Sequence, residues 1–188
     1  ESYDPGVEER IPSDVTDGDL RRQRSIGKYQ LIARLGQGGM ATVYLAVVAG
    51  PAGFNKLLVV KVLRDDLMDG SQEAVRMFWD EARLSAQLVH PNIVHTFEVG
   101  QEGGRYFLAM EYLDGQAYRT VQERASSQGG MPLADELRVL AEAARGLHYS
   151  HCLTNRKGEP LGVVHRDVSP HNVFITYDGQ VKVLDFGI

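Results

Sequence analysis

The stretch HRDVSPHNVFITYDGQVKVLDFG, residues 165–187, carries the reading that decides the fold. Its second half holds two short β-branched runs, VFIT and VKVL, separated by a link that contains Asp178-Gly179. Asp-Gly between apolar runs is a strong two-residue turn signal. A hairpin centred there makes Tyr177 face Gln180, Phe174 face Val183 and Asn172 face Asp185. Directly opposed residues hold their Cβ atoms about 5 Å apart. An amide oxygen and a carboxylate would then converge at the open end of the hairpin, with Asp167 just upstream. Such oxygens suit Mg2+ or Mn2+, and Mg2+ commonly takes few protein ligands together with phosphate oxygens. Asn172 and Asp185 are therefore the expected metal ligands.

Upstream, LGQGGMATVYL places Gly36, Gly38 and Gly39 between the β-rich runs KYQLIARLG and ATVYLAVV. Glycine lets backbone approach a ligand closely, and N–H groups in a turn can face phosphates. The spacing also fits the loose dinucleotide fingerprint, with Ala41 in its last place, but that motif needs a helix next and an acid about 20 residues on. Instead TVYLAVV is β-branched and aromatic, and Lys56 and Lys61 stand where the acid is needed. On this motif alone, a hairpin covering a phosphate and a tight hairpin without a ligand both stay open.

Lys61 lies inside the apolar run LLVVKVL, where a lysine commonly snorkels outward. Glu81 bears on that choice. The stretch from Ser71 to Leu88 reads as a helix with Ser71 as N-cap, and Glu81 falls within the stripe of Met77, Phe78, Leu84 and Leu88. No cation stands three or four residues away on its own helix. A buried carboxylate needs a partner from elsewhere, and Lys61 has the same need. A Lys61–Glu81 ion pair is expected.

The chain has 188 residues, 43% of them hydrophobic, which suits one packed domain. Its net charge of −5 argues against nucleic-acid binding through a basic surface. No apolar run approaches the roughly 18 residues needed to span a bilayer, and no basic start leads into an apolar stretch. Cys152 is the only cysteine. That excludes an internal disulfide and a Cys-based zinc site, and it suits a reducing, cytoplasmic setting. Residues 1–27 are acidic and rich in Pro, Gly, Ser and Asp, the composition of a disordered tail. Strand-like runs, with the helix of Ser71 to Leu88 among them, occupy the chain from Lys28 to a boundary near Asp114, and helical patterns follow, in AYRTVQERASS and LADELRVLAEAARGLHYSH. Residues 28–113 and 114–188 are thus expected as two lobes of an α+β chain. His148 and His151 stand three apart on the second helix, with no further ligand cluster, and His90 in HPNIV reads as helix-ending.

The motifs LGQGGMATV, Lys61, Glu81, HPNIV, MEYLDG, HRDVSPHN and DFG occur in the order and spacing of the protein kinases, and the chain resembles that family over about residues 28–188. Within it the chain looks most like the bacterial Ser/Thr kinases of the GxGGM type. The resemblance implies a two-lobed fold, with a complete β-rich lobe and the first part of a helical one. It implies ATP between the lobes, with Mg2+ or Mn2+, and a protein substrate offering Ser or Thr. Gly36, Gly38, Gly39 and the loop backbone would cover the phosphates, and Lys61, held by Glu81, would grip them. Asn172 and Asp185 would hold the metal, and Asp167, beside Arg166, would orient the substrate hydroxyl and accept its proton. Leu35, Val43 and Val59 would line the adenine slot, Met110 would be its gatekeeper, and Glu111 and Leu113 would offer hinge backbone groups.

The sequence departs from the family in four places. Ala41 replaces the third loop glycine, and Val59 replaces the usual alanine before the strand lysine, which should narrow the adenine slot. LTNRKGEPLG lengthens the link into the catalytic loop. Ser169 replaces a lysine that touches the transferred phosphate; either His171, four after Asp167, substitutes for it, or His171 is a solvated loop residue and the cation comes from beyond Ile188. The alternative to a kinase is a pseudokinase that binds nucleotide or partners without catalysis. A small-molecule phosphotransferase is disfavoured by the intact HRD and DFG. The family's activation segment would lie beyond Ile188, so the chain as given is expected to be inactive alone.

Overall fold

The structure is a computed structural model and describes residues 25–68 and 72–186. Six strands form one antiparallel sheet: β1 (Ser25–Ile26), β2 (Tyr29–Gln37), β3 (Ala41–Ala49), β4 (Asn55–Leu63), β5 (Thr96–Glu102) and β6 (Arg105–Glu111), in the order β1-β2-β3-β4-β6-β5. Two helices follow β4, α1 (Asp65–Met68) and α2 (Gln72–Ser85). The second part of the chain holds β7 (Gly115–Ala117), α3 (Tyr118–Ser126), α4 (Leu133–His151), β8 (Val173–Thr176) and β9 (Val181–Val183), and its three strands pair in that order.

Alternation along the long strands builds the upper layers. Ala46, Leu58, Val60, Val62, Phe107 and Ala109 pack on one face with Ile26 and Tyr29. On the other side Phe78 and Ala82 of α2 bury against Ala41, Leu63, Val94, Leu108 and Met110. The lower core joins Val139 and Ala143 of α4 to Val173, Val181, Val183 and Phe186. Helix α4 crosses the segment before β5 so closely that a Cβ on Gly146 would stand 2.8 Å from the Asn92 carbonyl oxygen. The upper and lower parts are sewn by backbone: Val94 N–H donates to Val183 O at 3.0 Å, and Val183 N–H to Asn92 O at 2.8 Å.

Three expectations change. Residues 1–24 of the expected tail lie outside the described residues, but Ser25 and Ile26 are strand, paired with Gln30 and Tyr29, and Ile26 is buried. The long helix runs over Gln72–Ser85, three residues short of Leu88, and its expected cap Ser71 lies outside the described residues.

The third change is the register of the last hairpin. The observed pairs are Val173–Val183, Phe174–Lys182 and Ile175–Val181, one residue away from the two-residue-turn alignment. The link is a three-residue loop, Tyr177–Gly179, closed by Thr176 N–H donating to Gln180 O at 2.9 Å. Gly179 takes the left-handed conformation that this longer loop needs, at φ 84°. Thr176 drives the choice, because its Oγ1 bonds Asp178 and accepts the Gln180 N–H. Asn172 therefore lies opposite Leu184, whose N–H donates to Asn172 O at 2.8 Å, and not opposite Asp185.

Candidate active site

The β-ladders place the upper half of the site. Gly36 of β2 pairs with Val43 of β3, Val43 with Lys61 of β4, and Lys61 with Leu108 of β6. Residues opposed across a ladder share a face, so one row carries the glycine loop, an apolar side chain and the lysine. Two residues along β4, on the same face, Val59 pairs with Met110. Val43, Val59 and Leu113 are half-buried, Met110 is buried and Leu35 is exposed.

The glycine loop has a property that packing does not explain. Neither Gly36 nor Gly39 has an atom within 4 Å of where a Cβ would sit, Gly38 meets only Ala41 O at 3.7 Å, and none of the three has a positive φ. Among the described residues nothing packs against these positions closely enough to ask for glycine. The loop is thus open to close approach from outside. Arg64 steadies the loop from below, its Nη1 donating to Gly39 O at 3.4 Å.

Lys61 Nζ lies 2.5 Å from Glu81 Oε1 and 3.0 Å from Asp185 Oδ1. One cation thus serves two carboxylates, one from α2 and one from the segment after β9. Burial pushes the Lys61 ammonium down, but Asp185 and Glu81 together outweigh it and hold its pKa above the ordinary lysine value. Burial pushes the Glu81 carboxyl up by more than Lys61 pulls it down, and Asp185 adds to the rise. Asp185 takes a left-handed backbone, φ 46°, to present its carboxylate. A short polar side chain tolerates that conformation.

Glu81 lines a small, partly open cavity of about 10 Å³ together with Ser85, Thr96, Met110 and Phe186 among others. Thr96 Oγ1 is buried without a hydrogen-bond partner among the described residues.

Asn172 folds back on the Asp167 loop. Its Nδ2 donates to Asp167 Oδ2 at 2.8 Å and to Asp167 O at 3.0 Å. The amide nitrogen is thereby engaged, which leaves the amide oxygen for a cation. Asp185 and Asn172 carry hard oxygen donors of the kind Mg2+ takes, and would leave most of its remaining positions to phosphate and water. Among the described residues no group of three or more His, Cys, Asp or Glu side chains could hold a metal unaided. His148 and His151 bring no such cluster, and His148 lies beside Cys152.

Arg166 is exposed in a left-handed conformation, φ 64°, next to Asp167. Ser169 is half-buried and its carbonyl accepts the Asn172 N–H at 3.0 Å, while His171 is exposed.

Sequence reasoning missed two members of the site. His165 is 1% exposed. It accepts the Asp167 N–H on Nδ1 at 3.3 Å and donates from Nε2 to Leu184 O at 2.8 Å. Those bonds assign the neutral ring with its proton on Nε2. The ring lies 4.6 Å from the Phe186 ring, so His165 ties the Asp167 loop to the Asp185 segment. Lys182, the second, is buried in β9 and donates to Glu111 Oε1 at 2.8 Å. The signal for it was a lysine in an apolar run, the same signal that Lys61 gave.

The sequence matches the family model for the protein kinase domain over residues 29–188, and the chain belongs to that family. It is 49% identical over 163 residues to "Tyrosine-protein kinase MasK" of Myxococcus xanthus, covering 86% of this chain and 25% of that protein. It is 34% identical over 166 residues to "Serine/threonine-protein kinase PrkC" of Bacillus subtilis, covering 88% of this chain and 23% of that protein. The chain therefore spans about a quarter of these relatives. The crystal structure of the Mycobacterium tuberculosis PknI kinase domain superposes with a TM-score of 0.66 at 30% identity, over 87% of this chain and 61% of that one. These likenesses bear out the α+β, two-lobed kinase fold and the kinship with bacterial Ser/Thr kinases. No helix of the described residues is long and apolar enough to cross a membrane.

Proposed function

We propose that the protein transfers the γ-phosphate of Mg-ATP to Ser or Thr hydroxyls of a protein substrate. The observation that carries the reading is the Lys61 ammonium, shared between Glu81 and Asp185 on the same face as a glycine loop that the fold itself does not require to be glycine. Gly36, Gly38 and Gly39 would let backbone N–H groups reach the phosphates, and Lys61 would contact their oxygens while Glu81 holds it in place. Leu35, Val43, Val59 and Met110 would line the adenine slot, with backbone groups of Glu111 and Leu113 at its edge. Asn172 and Asp185 would hold the metal, which when bound neutralises charge on the phosphates. The substrate oxygen bonds to the γ-phosphorus, the bond to the ADP bridging oxygen breaks, and the hydroxyl proton passes to the Asp167 carboxylate. Arg166, next to Asp167 in the chain, and the exposed His171, four residues after it, would act as accessory donors, His171 supplying a ring N–H to the phosphate in place of the cation that Ser169 lacks.

A tyrosine hydroxyl is the second reading, favoured by the printed name of the 49% identical relative. A pseudokinase is the alternative that Ser169 raises. One experiment separates all three. The full-length protein is incubated with Mg-ATP labelled on the γ-phosphate and a general protein substrate, and the phosphoamino acids are identified. Phosphoserine or phosphothreonine that disappears in Asp167→Asn supports the proposal. Phosphotyrosine alone replaces it with the second reading, and no Mg-dependent transfer leaves the pseudokinase.

A further inference from the structure

A lysine that is 7% exposed in a three-residue strand is an expensive placement unless a partner is built for it. Both neighbours of Lys182, Val181 and Val183, face the lower core. Its own side chain goes the other way, and its Nζ meets Glu111 Oε1 at 2.8 Å. The same carboxylate oxygen accepts the His95 N–H at 2.8 Å, and the Glu111 N–H donates to His95 O at 2.9 Å. Glu111 is the last residue of β6, where the chain leaves the upper sheet, and Lys182 stands three residues before Asp185 on the strand that delivers it.

Three chain segments meet here: residues 92–95, the end of β6, and β9. Two of the three connections are backbone hydrogen bonds. Asn92 and Val94 bond Val183, and His95 bonds Glu111. The third, between β9 and the end of β6, is the Lys182–Glu111 ion pair. Removing either side chain leaves the other charged group in a largely dry joint.

We infer that Lys182 is a positioning residue for the nucleotide: through Glu111 it sets the spacing between the hinge backbone and the strand that carries Asp185. The inference rests on the kinase reading above. It requires that a nucleotide touch both ends of that spacing, the hinge at its adenine and Asp185 through a metal at its phosphates. A residue that only stabilises the fold would alter unfolding and leave the affinity of the folded protein alone.

The test uses the full-length protein and ADP with Mg2+, with affinity measured by titration calorimetry and steady-state kinetics run in parallel. Lys182→Met should raise the ADP Kd and the KM for ATP about tenfold, with kcat within about threefold, the pattern of lost uniform binding. Glu111→Gln should act in the same direction. Lys182→Met combined with Glu111→Gln should be no weaker than the weaker single variant, because both substitutions break the same connection. Lys182→Arg, which keeps the charge, should bind ADP nearly as the parent does. Parent affinity in folded Lys182→Met, or a double variant as weak as the product of the single effects, would overturn the inference even if the variants melt earlier. Should Lys182→Met not fold, parent affinity in Glu111→Gln overturns it equally. A parent that binds no ADP overturns the kinase reading and this inference together, whereas a parent that binds while the variants do not differ sinks only the inference.

Discussion

Replacing Lys61 by Met tests the charge arrangement at the centre of the site. Met fills nearly the same volume and removes one cation from between two carboxylates, at 2.5 and 3.0 Å from it. Breaking a buried pair by removing one partner costs about 3–5 kcal/mol. Asp185 is half-exposed and can turn to water, so Glu81, with 10% of its side chain exposed, bears most of the loss. The lower end, about 3 kcal/mol, is the appropriate figure, and it corresponds to a drop of about 6–12 °C for a domain of 150–250 residues. The loss must also depend on pH. Glu81 already has a folded pKa above its unfolded value, so the native state holds the extra proton and stability falls as pH rises through that window. Taking Lys61 away removes the influence that lowers this pKa while burial and Asp185 remain, so the window extends upward from about 4.3. The cost of the substitution should therefore grow as pH rises above about 4.3. In the parent, Lys61 has a raised folded pKa, so its contribution is complete below the ordinary lysine value and fades only as pH rises through the raised one. The assay is a calorimetric melt of the kinase-domain transition in the full-length protein at pH 5, 7 and 8. A penalty that is equal at pH 5 and pH 8 would refute the charge argument, as would recovery failing in Lys61→Met combined with Glu81→Leu.

Three further outcomes follow from particular atoms. Thr96→Val exchanges a buried hydroxyl without a hydrogen-bond partner among the described residues for a methyl of similar size, so thermal melts should show a gain of about 1 kcal/mol; a loss would mean that the hydroxyl has a partner, such as a water in the adjoining cavity. Gly39→Ala meets no protein atom and needs no unusual φ, so the melting temperature should hold or rise slightly while the KM for ATP increases at least about threefold; unchanged kinetics would remove the loop from the phosphate site. His171→Ala should lower kcat about tenfold, equal to about 1.4 kcal/mol, with ATP affinity little changed, and adding Ser169→Lys should restore much of the rate; parent turnover in His171→Ala would send the search for that donor elsewhere.

What could be read without coordinates were the features that a single residue type announces in the wrong company. Lys61 and Glu81 are charges set in apolar periodic surroundings, and burial obliges such charges to find each other whatever the details of packing. The glycines of residues 36–39 mark a turn between strands, and the sequence left open whether a ligand approaches it. The helix of residues 133–151 is long and strongly periodic, and its limits were legible to the residue. Strand β7 was not, because three residues including Gly115 carry no pattern, and only the docking of that segment against β8 makes it a strand.

The remaining features depend on contacts between segments far apart in the chain. An Asp-Gly pair allows a two-residue or a three-residue loop, and the hydroxyl of Thr176 chose the second. That moved Asn172 off Asp185 and onto Asp167. Asp185 then reached across 124 positions to Lys61, His165 joined the Asp167 loop to Phe186, and Lys182 found Glu111. Local chemistry determined that these side chains needed partners, since an unpaired buried charge or polar group costs more than folding can spare. Which partner each one found was decided by strand register and by the close crossing of α4 at Gly146, which no local pattern encodes.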